Sequence, residues 1–445
     1  MSPHTYPAPI LKATIVKLFH RSYSNSAIPT HQSCAPLSYY CGVDAEPLYR
    51  YRPGGFHPVA LGDVLNHGRY RILHKLGWGG YSTTWAAKDQ QENQYVAVKI
   101  STSESRNERE VKILRAISAL PNDNPGRSNL NQMLDCFTLL GPNGTHDCLV
   151  LQLLGPSVAD IVESFCKGDR LPARLAKSFA QQAFQGLHCL AHHGIAHGGM
   201  LRACYASFPP AYVPTADIHT RNLAIEIPGL NSSDEKTFLE KLGKPEIGAV
   251  KSRDGQPLPV NLPLHIIRPA TFANNRILSS SPLIKIIDFG EAFSKNEPPV
   301  ILHTPLPVRA PEVVFGDALD GRVDLWSAGC LLFELVTGQP PFDSIMIPAD
   351  LVQQMMAFAT DDLPLRWQEK WKTMEERLPI EEETYSQECY SLCQWLKEVY
   401  FDDHRQPEFT TDDIGEVGKL VSRMLKFEPS QRASAIDILA SDWFK

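Results

Sequence analysis

Apolar and polar positions alternate along this chain in patterns that read as short strands early and long helices late. Tyr70-Arg-Ile-Leu73 and Thr84-Trp-Ala-Ala87 are strand-like runs, and between them Leu76, Gly77, Trp78, Gly79, Gly80, Tyr81 and Ser82 place glycines at a hairpin tip. Val96-Ala97-Val98-Lys99-Ile100 reads as the next strand. From Asn107 to Ile117, Val111, Leu114 and Ile117 recur at helical spacing and would pack inward. Leu149 to Gly155 is a continuous apolar run, read as a buried strand that exits into a linker, and Leu175 to His193 is a long amphipathic helix. Leu223, Ile225 and Ile227 alternate as a strand, and Leu283 to Ile287 forms another. Asp324 to Gly338 is apolar nearly all round, hence a buried helix that its glycine ends. Tyr51 to Asp63 is too rich in Gly and Pro for a helix and reads as a lead-in loop, so folded structure is expected from about Arg69. From Ile227 to about Ser281 the chain is polar and without strong periodicity, as in an insertion or linker.

Composition narrows this reading. With 445 residues, 43% of them apolar, the chain can bury a large core. Its ten cysteines are scattered without zinc spacing, which fits a reducing compartment, and no apolar run approaches the roughly 18 residues of a membrane span. The net charge of -7 is uneven: Pro341 to Leu420 carries 18 acidic against 7 basic residues, a local balance of -11 that leaves about +4 elsewhere. An acidic flank favours a basic partner. The first acid is Asp44, and Leu11, Ile15, Leu18 and Phe19 can share a helical face that Lys17 and Arg21 stay off and Lys12 borders. Residues 1 to about 25 therefore read either as a mitochondrial presequence or as a disordered tail.

The chemistry gathers in one sequence order. Glycines at a hairpin tip let backbone N–H groups approach phosphate oxygens. Lys99, ending the strand after that hairpin, is placed to touch the α- and β-phosphates of a nucleotide, with Glu110 on the following helix as its counter-charge. Asp217-Ile-His-Thr-Arg-Asn222 offers an acid and an amide just before a strand, the spacing of a proton acceptor and a metal ligand. Asp288-Phe289-Gly290 supplies a second metal-binding signature. Ala310-Pro311-Glu312 follows, and Arg432 is available to pair with Glu312.

Together these motifs resemble the eukaryotic protein kinase set, spread from about Arg69 to Phe444. Gly55-Phe-His-Pro-Val59, Leu76 to Ser82, Leu154-Gly155 and the long spacer before Asp288 look like the SR-protein-specific serine/threonine kinases, more narrowly their divergent fungal relatives. The resemblance implies an α+β, bilobal fold: an N-terminal extension over 1–50, a small β-rich lobe over 51–154, and a larger helical lobe over 155–445 with inserts at 199–216 and about 228–281. It implies ATP and Mg2+ as cofactors, with Leu76 to Ser82, Thr84, Ala97 and Lys99 around the nucleotide. Leu151 then stands as gatekeeper, with Gln152 to Leu154 as hinge. Asp217 is implied as base, and Asn222 and Asp288 as metal ligands. Basic Ser/Thr proteins, notably Arg-Ser-rich splicing factors, would be substrates of a monomer in cytoplasm and nucleus, without direct nucleic-acid or membrane binding.

Three departures bear on activity. His219 stands where the family has a lysine near the γ-phosphate, so a fixed charge becomes one near neutral at pH 7. The arginine that normally precedes the catalytic Asp is absent, since Ala216 or Gly198 takes its place. Gly199 to Ala216, eighteen residues with three prolines, separate His197-Gly198 from Asp217. Their codons can be written as an in-frame intron whose removal restores His-Gly-Asp-Ile-His-Thr-Arg-Asn. Beside an active kinase stand two other readings: a catalytically impaired fold serving as a binding module, and a small-molecule phosphotransferase with a His-Gly-Asp-x-His-x-x-Asn loop.

Overall fold

The computed structural model describes residues 38–105, 108–166, 169–199, 220–272, 282–342, 348–376, 391–401 and 407–445. The strands in chain order are β1 (Tyr39–Tyr40), β2 (Val64–Leu65), β3 (Tyr70–Gly79), β4 (Ser82–Asp89), β5 (Gln94–Ser101), β6 (Met133–Gly141) and β7 (Gly144–Gln152). The helix α1 (Glu108–Ser118) lies between β5 and β6. An antiparallel sheet runs β2-β3-β4-β5-β7-β6. Alternation explains its two faces: Val96, Val98 and Ile100 of β5 enter a cluster with Tyr70, Ile72, Trp85 and Val150, which turns Ala97 and Lys99 to the other face.

The second half is helical. It contains α2 (Val158–Phe165), α3 (Ala173–His192), β8 (Ile195–Ala196) and β9 (Leu223–Ile225). A middle segment holds α4 (Glu235–Leu242), β10 (Ile247–Ala249), β11 (Lys251–Ser252) and β12 (His265–Ile267). Then come β13 (Ile284–Ile286), β14 (Phe293–Ser294), α5 (Pro311–Phe315), α6 (Val323–Thr337), α7 (Pro348–Phe358), α8 (Leu365–Glu375), α9 (Leu392–Tyr400), α10 (Thr411–Met424) and α11 (Ala435–Leu439). Helix α6 is buried at every position from Val323 to Thr337 except Leu325, as its all-round apolar sequence requires, and α3, α9 and α10 pack around it. Gly338 ends it at φ 84°, where a Cβ would lie 2.1 Å from the Asp169 carbonyl oxygen. Glu312 and Arg432 form a two-pronged pair at 2.6 Å with side chains 2% and 0% exposed, so this contact pins the interior.

Two expectations need correction. The lead-in is folded well before Arg69: Tyr51, Phe56 and Val59 are buried, and the Tyr51 hydroxyl donates to Glu46, which meets Lys75 beneath the sheet. The stretch after Ile227 is no linker over 228–272. Phe238 of α4 is fully buried and stacks on Tyr95 with ring centroids 3.8 Å apart, and Tyr95 N–H donates to Asn231 Oδ1 at 2.9 Å. Strand β11 pairs with β1, and Val250, Leu262 and Ile266 share a core with Tyr51 and Phe56. Sequence reasoning missed both because their apolar residues are far apart and each fits a surface distant in sequence rather than a neighbour one turn away.

Candidate active site

Strand β5 and the two-stranded β9–β13 ribbon bring the polar groups together. Lys99 pairs in register with Thr84 on one side and Leu149 on the other, which fixes its side chain under the β3–β4 hairpin. Its Nζ donates to Glu110 Oε1 at 2.7 Å and to Asp288 Oδ1 at 2.9 Å. Helix α1 carries Glu110 on the same buried face as Ile113, Leu114 and Ile117, which anchor that face in the core. Burial pulls the Lys99 ammonium down, but Asp288 and Glu110 outweigh it and hold the group well above the ordinary lysine range. Lys99 in turn holds the Asp288 carboxyl below its usual range.

Asp288 stands at φ 61°, a left-handed conformation uncommon outside glycine. The residues around it fasten it there. The Phe289 ring is buried edge-on against His197 with centroids 5.1 Å apart, and His197 Nε2 lies 3.0 Å from the Ile287 carbonyl oxygen. Asp324, at the start of α6, accepts the backbone N–H of His197 at 2.6 Å and of Gly198 at 2.9 Å. Gly198 has φ 79°, and a Cβ there would sit 2.2 Å from the Glu291 carbonyl oxygen. The chain is described again from Thr220, whose hydroxyl donates to Glu334 Oε1 at 2.9 Å on the same helix. The described residues on both sides of 200–219 are thus tied to α6. Asp217, His219 and residues 200–216 lie outside the described residues, as does the segment read as a presequence.

Asn222 is buried beside Asp288: its carbonyl oxygen accepts the Ile287 N–H at 2.9 Å, while its side-chain nitrogen has no hydrogen-bond partner. Among the described residues no group of three His, Cys, Asp or Glu side chains could hold a metal alone. Asn222 and Asp288 nevertheless suit Mg2+, which takes one or two side-chain oxygens and completes its shell with phosphates and water.

The remaining nucleotide candidates line one side. Gly77, Trp78 and Gly79 end β3, Ser82 and Thr84 open β4, and Gly80 and Tyr81 form the tip. A Cβ added at Gly77 or Gly79 would meet nothing within 4 Å, so packing within the protein does not demand glycine at either position. Ala97 and Leu151 are opposed across β5 and β7, and Leu76, Ala97 and Leu151 adjoin one apolar cluster. The Gln152 N–H is taken by the Gln132 carbonyl oxygen at 2.8 Å, while Leu154 is buried at the exit. Sequence reading overlooked Asp324 and Glu334 as anchors, since an acid in an apolar helix gives no hint of which backbone it receives.

Residues 273–444 match the protein kinase domain family. A serine/threonine protein kinase of Aspergillus fumigatus is 26% identical over 443 residues, covering 96% of this chain and 97% of the relative. The serine/threonine-protein kinase SRPK of Physarum polycephalum is 27% identical over 420 residues, 87% of this chain and 88% of the relative. Human SRSF protein kinase 3 is 38% identical over 145 residues, 32% of this chain and 25% of its own. The crystal structure of a kinase domain covers 87% of this chain and 98% of its own at TM-score 0.56 and 19% identity, a likeness of fold. The chain therefore carries a protein kinase domain in a mixed α+β fold with a β-rich sheet region and a helical body. Its relatives include SR-protein kinases, at modest identity.

Proposed function

We propose that this chain is an ATP- and Mg2+-dependent serine/threonine kinase of basic, Arg-Ser-rich proteins. The observation that carries the reading is the triad of Lys99, Glu110 and Asp288: two carboxylates on one ammonium, drawn together from three separate elements. Bound magnesium would neutralise developing phosphate charge. Lys99 would hold the α- and β-phosphates, Glu110 would keep Lys99 aimed, and Asn222 and Asp288 would supply metal-binding oxygens. Asp217 would take the proton from the substrate hydroxyl.

A basic substrate is supported by the acidic flank. Part of that acidity is structural, since Asp361 accepts the Phe427 and Glu428 N–H groups and Asp413 caps α10. Asp362, Glu375 and Glu376 around α8 are exposed and would face a cationic chain, whereas the exposed Glu369 already meets Lys372 at 3.1 Å. The competing binding-module reading draws on the eighteen residues between Gly198 and Asp217.

One experiment separates them: transfer from radiolabelled ATP to an Arg-Ser peptide, for the chain as written, for a form lacking Gly199 to Ala216, and for Lys99→Met in each. Transfer that Lys99→Met abolishes supports the kinase. A shortened form at least tenfold faster supports the intron reading of that segment. Nucleotide binding with no transfer in either form would leave a binding module.

A further inference from the structure

The glycine hairpin has a brace that comes from outside the sheet. Arg50, in the short helical turn Leu48–Arg50, donates through Nη2 to the carbonyl oxygen of Gly80, at the tip of the β3–β4 hairpin. Its guanidinium lies 5.9 Å from the Tyr81 ring centre, 5.3 Å from that of Phe56, and 3.9 Å from Glu104 Oε1. Glu104 is held in turn by Arg52 at 3.2 Å, and its N–H donates to the Gly54 carbonyl oxygen at 2.8 Å. The Tyr81 carbonyl oxygen accepts the Thr102 N–H at 2.8 Å. Arg50 therefore sits between the hairpin tip and the chain that leaves β5 toward α1. Its side chain is only 15% exposed. The turn that carries it is closed by Gly55, where a Cβ would fall 1.9 Å from the Arg50 carbonyl oxygen.

The hairpin gains from such a hold, because Gly77 and Gly79 bring no side chain to pack it in place and a Cβ at either would meet nothing within 4 Å. A charge-assisted bond to a backbone carbonyl, reinforced by an aromatic ring, fixes the tip at one height above the space where phosphates would lie. We propose that Arg50 is a positioning residue of the nucleotide site, setting the glycine hairpin through the Gly80 carbonyl. This rests on the reading of that hairpin as phosphate-binding.

The test is hydrogen exchange over Leu76 to Ser82 together with binding of a fluorescent ADP analogue and Mg2+, in the wild type, Arg50→Ala and Arg50→Lys. Arg50→Ala should speed exchange at the tip about tenfold or more, the worth of one hydrogen bond to a charged group, and weaken the analogue by a similar factor. Arg50→Lys, which keeps a cationic donor, should recover part of both. Exchange in α6 should stay as in the wild type, which separates a local brace from general loss of fold. Unchanged exchange at the tip of a folded Arg50→Ala protein would overturn the proposal. If the wild type binds no analogue, the nucleotide reading falls, while the exchange result still decides whether Arg50 holds the tip.

Discussion

Two lysines of one sheet, Lys75 on β3 and Lys99 on β5, each meet a glutamate from outside it, and their surroundings differ. Lys75 and Glu46 are 0% and 1% exposed, and the Tyr51 hydroxyl and the Trp85 ring close the space around them. Burial lowers the Lys75 ammonium, which Glu46 opposes, and burial raises the Tyr51 phenol. Charge there is matched one to one in a sealed site. Lys99 faces two carboxylates, and Asp288 is 31% exposed, so the second site keeps a negative surplus open to water. A closed, balanced pair fixes structure, whereas an open, unbalanced one is ready for a further cation.

The largest effect expected from this contrast is on Lys75→Met. The substitution strands the buried Glu46 carboxylate and should cost about 3–5 kcal/mol in urea unfolding, most of it recovered when Glu46→Leu is added. Arg432→Met should behave alike in the helical body, because Glu312 is equally enclosed. A loss below about 1 kcal/mol for Lys75→Met would remove the distinction between the two sites.

Next comes Phe238→Ala, expected to cost about 3 kcal/mol and to free α4 from Tyr95, read as faster exchange confined to residues 228–272. This helix marks the limit of what the sequence disclosed. Strand β5 was legible because its apolar residues follow the period of a strand, and helix α6 because it is apolar nearly all round. Glu312 and Arg432 were also legible as partners, though not as a buried pair. In α4 only Phe238 and Leu242 are buried, and they complete a core with Leu73, Ala86 and Ala97 that no local period could announce. The site divides similarly: Lys99, Glu110 and Asp288 stand out by order and residue type, while Arg50 reaches Gly80 from the end of the stretch over 1–50 that read as an N-terminal extension.

A smaller effect should appear with pH. His57 stacks edge-on with His146, centroids 4.9 Å apart, against the turn at Gly141. Burial, with His146 adding to it, lowers the His57 pKa from 6.5 to about 4. Between those values the unfolded chain takes up a proton that the folded chain refuses, so stability is full above pH 6.5 and falls as pH drops toward 4. At pH 5 the loss should be on the order of 2 kcal/mol relative to pH 7. Urea unfolding at the two pH values, in the wild type and His57→Gln, checks this: the variant should lose most of the difference.

The smallest effect on stability should come from Lys99→Met, although it removes the same chemical group as Lys75→Met. Glu110 and Asp288 are then left facing each other, but Asp288 opens to solvent, and water or a proton can relieve what the ammonium did. The cost at pH 7 should be about 1 kcal/mol or less. Because the carboxylate that loses Lys99 holds a proton more tightly than in the unfolded chain, that cost should shrink as pH falls from 7 toward 5. Binding of a fluorescent ADP analogue with Mg2+ should meanwhile weaken at least tenfold, about 1.4 kcal/mol. Stability and binding would then move independently at Lys99 and not at Lys75. If Lys99→Met instead unfolds the protein as readily as Lys75→Met, the triad is a structural pin, and its two carboxylates no longer argue for a metal-nucleotide site.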